Sequence, residues 1–304
     1  MTDSNSNIRS ALIIGCGYLG RRAAEQWHAA GVHVSAVTRS PETAAQFSVS
    51  GWQPIQMDLA SPSSAIELPD VDAVLWAVGY DRTAGVARQV VWIDGLKWVL
   101  QNLKQPLKKF MYVSSTSVYG NVDDEMVTED TLANPVTEGG QCCLQAEQIV
   151  LKHFAELDAA DSVEQSTGLV LRLAGIYGPD RLLRRIMDLK TEVPLPGQPD
   201  HWLNLIHVED AAALVRAVAN QPVTPNIVNV ANTGTVVRRD YYQRLAELSK
   251  SPAPVFGSKN ATGRARSANK KVASKFNLQD LAEFKFNNVL AGLDDAFARS
   301  TIVK

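Results

Sequence analysis

The stretch ALIIGCGYLG, with Gly15, Gly17 and Gly20 spaced G-x-G-x-x-G between an apolar run and a helical one, constrains this chain most. The spacing alone is weak, but a strand before it and a helix after it give it physical meaning. Gly15 allows a tight turn, Gly17 lets a diphosphate approach the backbone, and Gly20 lets helix and strand pack closely. The helix start then offers N–H donors and the positive end of its dipole to phosphate. Tyr18 and Leu19 open that helix beside the ligand. Cys16, between two of the glycines, reads as a compact filler, with a nucleophile the alternative.

The turn sits in a larger alternation. Short apolar runs at Ala11–Ile14, Val32–Thr38, Pro54–Asp58, Ala73–Val78, Lys109–Ser115 and Gly168–Ala174 are separated by longer stretches of helical period. That pattern predicts βαβ units in a parallel sheet with right-handed crossovers. Leu19, Ala23, Trp27 and Ala30 form one predicted apolar stripe. Further on, Val193–Pro199 reads as a proline-rich loop, Asn226–Asn232 as another strand and Arg238–Ser249 as a helix. The stretch Ser251–Lys275, with Arg264, Arg266, Lys270, Lys271 and Lys275, reads as solvated, or alternatively as a cationic rim for a phosphorylated ligand.

A hydrophobic fraction of 45% over 304 residues supports a large core. A net charge of -2 gives no electrostatic case for nucleic acid or an acidic membrane, so a small-molecule partner is expected. Three cysteines, two of them adjacent, make no disulfide framework. With a polar start, MTDSNSNIRS, that lacks the apolar run of a signal peptide or membrane helix and reads as a frayed leader, the expectation is a cytoplasmic protein with no membrane segment. No metal site is expected: Cys142 and Cys143 point about 100° apart on a helix, and His153 lies nearly three turns beyond.

About twenty residues past the glycine turn, a dinucleotide site carries an acid for the ribose of NAD or an arginine for the extra phosphate of NADP. Here the strand ends on Thr38 and Arg39, so NADP is expected, with NAD the alternative and a solvated Arg39 the plain one.

Several segments in order resemble the extended short-chain dehydrogenase/reductases, the NAD-dependent epimerase/dehydratase family: GCGYLG, MDLA with Asp58, VLWAVG, VSSTSVYG, LRLAGIYGP and LIHVEDAA. The resemblance runs from about Ile8 to Ala231. It implies an α/β Rossmann-type, doubly wound parallel sheet with a smaller C-terminal substrate lobe. Residues 1–172 would form the dinucleotide domain, 203–232 would return to it, and 173–304 would form the lobe. It implies cofactor contacts at Asp58, Leu59, Ala77, Val78 and Gly79, and is compatible with a homodimer.

The family's chemistry uses a Ser or Thr, a Tyr and a Lys four residues after the Tyr. The resemblance places Ser115 in the first role and Tyr119 in a packing motif. It puts Gly139 where the Tyr would be and Cys143 where the Lys would be, a departure shared with atypical members. Glycine has no proton to give, and a neutral thiol supplies no positive charge. Cys143, Tyr177 and His207 are the remaining side chains with titratable groups in segments that border the family's cleft, each weighed against a packing role; Tyr80 follows the strand beside the cofactor. Thr116 and Ser117 stand where nucleotide-sugar dehydratases carry an Asp-Glu pair, which argues against dehydration. Arg172 and Arg181 read as solvated or as phosphate contacts. Two functions stay open: an NADP-preferring oxidoreductase or epimerase-like enzyme, and a catalytically silent NADP(H) sensor.

Overall fold

The protein is described here from a computed structural model, which describes residues 8–104, 107–120, 126–159, 166–221, 225–257 and 269–301. Residues 1–7 of the polar start and the arginines 264 and 266 lie outside them.

Seven strands form one parallel sheet: β1 (Ser10–Ile14), β2 (His33–Thr38), β3 (Gln53–Gln56), β4 (Ala73–Trp76), β5 (Lys109–Ser115), β6 (Thr167–Leu173) and β7 (Ile227–Val230). Their spatial order is β7-β6-β5-β4-β1-β2-β3. The chain builds outward from β1 to β3, then crosses back to start the other half at β4. That reversal puts a crevice above the carboxyl ends of β1 and β4, where open α/β sheets take their ligands. β1 pairs with both neighbours, Leu12 beside Ser35 on one side and Val74 on the other.

The strands are apolar because both faces are covered. Ala11, Leu12, Ile13 and Ile14 are fully buried. On one face lie α1 (Tyr18–Ala29) and α6 (Val208–Ala219), through Leu19, Ala23, Trp27, Leu214 and Val218. The predicted stripe holds except at Ala30, which is exposed just past the helix end. On the other face lie α3 (Gly95–Asn102) and α4 (Glu138–Ala159), through Leu96, Val99, Ala146, Val150 and Phe154. Burying each such side chain is worth about 1.5–3 kcal/mol. α2 (Pro41–Val49) follows β2 and is capped by Ser40, whose Oγ accepts from the Thr43 N–H.

A further core gathers Tyr177, Ile186, Leu195, Tyr241, Leu245 and Leu293, contributed by α5 (Leu183–Lys190), α7 (Arg238–Ser249), α8 (Val289–Arg299) and the loops between them. A short strand Gly175–Tyr177 runs parallel to Leu205–His207, tying this part to the end of the sheet. The stretch predicted to be solvated is better anchored than its composition suggests. Lys271–Val272 pairs with Met126–Val127, and Lys270 Nζ donates to the Gly120 carbonyl at 2.7 Å. Among the described residues no helix is long and apolar enough to cross a membrane.

Candidate functional site

A cleft of about 590 Å³ opens above the crossover between β1 and β4. Its floor is the glycine turn. Gly15 has φ of +91°, and a Cβ there would stand 2.5 Å from the Ala77 carbonyl carbon, so glycine is required by conformation and by space. At Gly20 a Cβ would run into the Gly15 carbonyl and reach 3.1 Å from Ile13 Cγ2, which keeps α1 tight against β1. Gly17 is different: a Cβ there would meet nothing within 4 Å.

Gly17 is also the N-cap of α1, and no side chain caps the helix or places an acid in its first turn. The first N–H groups of a helix lack internal partners and carry the positive end of the dipole. Uncapped and open to the cleft, they make a seat for an anion. Cys16 lines the same floor, its thiol pushed up to about 12 by burial and therefore neutral.

One end of the cleft is formed by Val37, Thr38, Arg39, Met57, Asp58 and Leu59. Thr38 Oγ1 accepts from the Ser40 N–H, and Asp58 Oδ1 accepts from the Ala60 N–H, so both loop ends hold themselves in shape. Arg39 is about half exposed and stands 3.6 Å from Asp81, a weak surface pair. Ala77, Val78, Gly79 and Tyr80 continue the wall from the end of β4. Tyr18 closes the other side: its hydroxyl donates to the Pro179 carbonyl, and the guanidinium groups of Arg22 and Arg181 lie against its ring, at 4.2 and 4.1 Å.

Of the side chains named for proton chemistry, Ser115 stands two residues beyond the cleft-lining Val113, and the others are buried and do not line the cleft. Ser115, at the end of β5, is half-buried and its Oγ accepts from the Ser117 N–H, capping a short helical turn. Cys143 is buried beside Tyr112 and Ser114, and burial pushes its thiol up to about 11. Cys142 is buried as well, its Sγ 3.8 Å from Gln89 Oε1. Neither cysteine lines the cleft.

Tyr177 and His207 pack edge-to-face in the core between the sheet and the later helices. The Tyr177 hydroxyl donates to the Val289 carbonyl, and burial raises its pKa far above the ordinary phenol. His207 is fully buried; its Nδ1 accepts from the Glu209 N–H, capping α6, and burial pulls its pKa down to about 4. Both are removed from the cleft lining.

Arg172 is a correction: it is neither solvated nor a phosphate contact. It is 4% exposed and grips Glu147 of α4 through Nε and Nη2, the latter at 2.7 Å. Glu147 also accepts from Ser114 Oγ at 2.5 Å. Arg172 Nη1 donates to the Tyr119 hydroxyl, which in turn donates to Asn229 Oδ1. This network ties β5, α4, β6 and β7 together directly below Ser115. Its geometry also gives Tyr119 a structural reason for its place in VYG.

Two groups escaped sequence reading. Glu147 is one; its place four residues after Cys143 on a helix was the available signal. Arg88 is the other. Its side chain is 11% exposed, stacks over Tyr80 and Trp92, and sets an Nη1 where a Cβ of Gly139 would be 2.7 Å away. Nothing in AGVARQ marks it; the glycine at 139 is its only trace.

Comparison with known proteins agrees with the geometry. The profile of the NAD dependent epimerase/dehydratase family matches residues 11–231. Protein YeeZ of Escherichia coli strain K12 is 26% identical over 268 residues, covering 85% of this chain and 90% of its own. A conserved protein of unknown function from Silicibacter pomeroyi is 25% identical with a TM-score of 0.71, over 96% of this chain and 99% of its own. UDP-glucuronic acid 4-epimerase from Bacillus cereus, solved with UDP-glucuronic acid and NAD, shares the fold at a TM-score of 0.74 and 18% identity, over 95% and 98% of the two chains. The sheet order, the glycine turn at its switch point and the matched span together establish that this chain belongs to the NAD-dependent epimerase/dehydratase family.

Proposed function

We propose that the chain binds NADP(H) across the β1/β4 crevice and acts as an atypical oxidoreductase or epimerase-like enzyme on a small carbonyl, alcohol or sugar-like substrate. The observation that carries this is the uncapped start of α1 behind Gly17, open to the cleft and free of acids. Gly15, Gly17, Tyr18, Leu19 and Gly20 seat the diphosphate. Asp58 and Leu59 border the adenine, and Ala77, Val78 and Gly79 line the path toward the reacting end. When bound, the nicotinamide supplies hydride exchange.

Arg39 supports NADP over NAD. A guanidinium held by one half-exposed carboxylate at 3.6 Å can exchange that partner for a ribose phosphate. Calorimetric titration should show tighter binding of NADPH than of NADH, and Arg39→Ala should remove most of the difference, about tenfold, or 1.4 kcal/mol. Equal affinities in the parent protein would defeat the preference; absence of heat with both dinucleotides would defeat the whole reading.

Ser115 is the group we assign to the substrate oxygen. With glycine at 139 and a neutral thiol at 143, general-acid help worth roughly 10²- to 10⁴-fold is missing unless another group supplies it. Tyr177 and His207 can do so only if the core around them opens. The same vacancy favours a second reading, a dinucleotide sensor in which binding alone closes the molecule through differential affinity. NADPH consumption with a carbonyl panel, abolished by Ser115→Ala, supports the enzyme; tight binding without consumption supports the sensor.

A further inference from the structure

Arg88 stands between the cleft wall and the first turn of α4. Its guanidinium lies 4.3 Å over the ring of Tyr80, which lines the cleft, and 5.0 Å from the ring of Trp92. Those two rings meet edge-on, and Tyr80 is fixed by its own hydroxyl donating to the Val86 carbonyl. On the other side, Nη1 fills the space that glycine leaves at 139. The family resemblance aligns that position with the missing phenol.

The group is poorly satisfied for one so enclosed. Nε is buried and meets no acceptor among the described residues. Among the described residues the nearest carboxylate, Glu138, stands at 3.7 Å, beyond hydrogen-bonding distance, and is itself largely exposed. A guanidinium remains charged at any working pH and offers paired donors suited to a flat anion.

We propose that Arg88, which stands behind the cleft-lining Tyr80, is the substrate-anchoring residue and that the substrate carries a carboxylate, which pairs with the Nη atoms beside Gly139. The inference rests on the dinucleotide reading and names the substrate class for that site. Arg88 is a binding and orienting group: it holds the acid while Ser115 takes the reacting oxygen, and it transfers no proton itself.

The test is calorimetry on the NADPH-loaded protein with propionate, oxalate and 2-oxobutyrate, beside the matching amides and inorganic phosphate. Carboxylates should bind at least tenfold tighter than their amides. Arg88→Met, which keeps an apolar stem between the two rings, should lose that advantage at least tenfold, and Arg88→Lys should keep part of it. NADPH affinity and the melting temperature should stay unchanged in Arg88→Met, which separates a lost anchor from a damaged fold. Carboxylates binding no better than amides, phosphate alone binding, or Arg88→Met binding carboxylates like the parent would each overturn the proposal. If NADPH itself does not bind, the same titrations on the free protein still decide Arg88, so the two readings fail separately.

Discussion

The turn after β1 and the first turn of α4 are both glycine-rich, and their glycines serve opposite ends. At Gly17 the missing side chain leaves space open to the cleft, whereas at Gly139 the space is taken by the protein's own Arg88. One glycine makes room for a visitor, the other for a resident. The first turn is built from backbone, so its form follows from spacing alone. The second is built from side chains brought together from distant segments, and only the folded chain reveals what fills it.

Substitutions can sharpen this contrast. Gly15→Ala should have the largest effect: at φ of +91° with the Ala77 carbonyl 2.5 Å from the new Cβ, relief requires moving β1 or β4. We expect dinucleotide binding lost to calorimetry and a melting temperature lower by several degrees. Parental affinity in the Gly15→Ala variant would show that the turn is not the seat.

Next is the network below Ser115. Removing one partner of a buried ion pair strands the other, so Glu147→Leu should cost about 3–5 kcal/mol in urea unfolding. The double variant Glu147→Leu with Arg172→Met should recover much of this. If the double variant is no better than the single one, the pair is not the element that ties α4 to β6.

A smaller effect concerns the core outside both turns. His207 is held at about 4 by burial, below its ordinary 6.5, so it stabilises the fold at neutral pH and loses that contribution as pH falls from about 6.5 toward 4. Asp210, one turn away, is pushed up to about 6 by burial, and its contribution runs the other way over nearly the same range. The two largely cancel in the parent protein. Asp210→Asn should unmask a loss of about 2 kcal/mol between about pH 7.5 and about pH 5, read from urea midpoints. An unchanged pH slope in that variant would mean His207 is not held neutral.

The smallest effect is expected at Gly139→Ala. The atom a new Cβ meets, Arg88 Nη1 at 2.7 Å, is the tip of a flexible side chain and can give way. Alanine also favours the helix by about 0.5–1 kcal/mol. Stability should change by less than about 1 kcal/mol, while carboxylate binding weakens because Arg88 is displaced. A large loss of stability would make Arg88 a structural plug.

Most of the sheet was legible. Lys109–Ser115 and Arg238–Ser249 coincide with the observed strand and helix, because apolar runs flanked by clear breaks leave little freedom. Ends were less so: Ala73–Val78 stops as a strand at Trp76, since its last residues turn to line the cleft. Arg172 was misread because an arginine in an apolar strand gives no hint that a glutamate on a distant helix will meet it. The Gly139 vacancy was visible, but its tenant lies 51 positions earlier in the chain, beyond any local pattern.

Tyr18 follows Gly17 directly, and its hydroxyl holds the carbonyl of Pro179, 161 residues later. One phenol, with two guanidinium groups against its ring, thus links the floor of the crevice to a loop far along the chain. Only one covalent step separates Gly17, open to the cleft, from that tie.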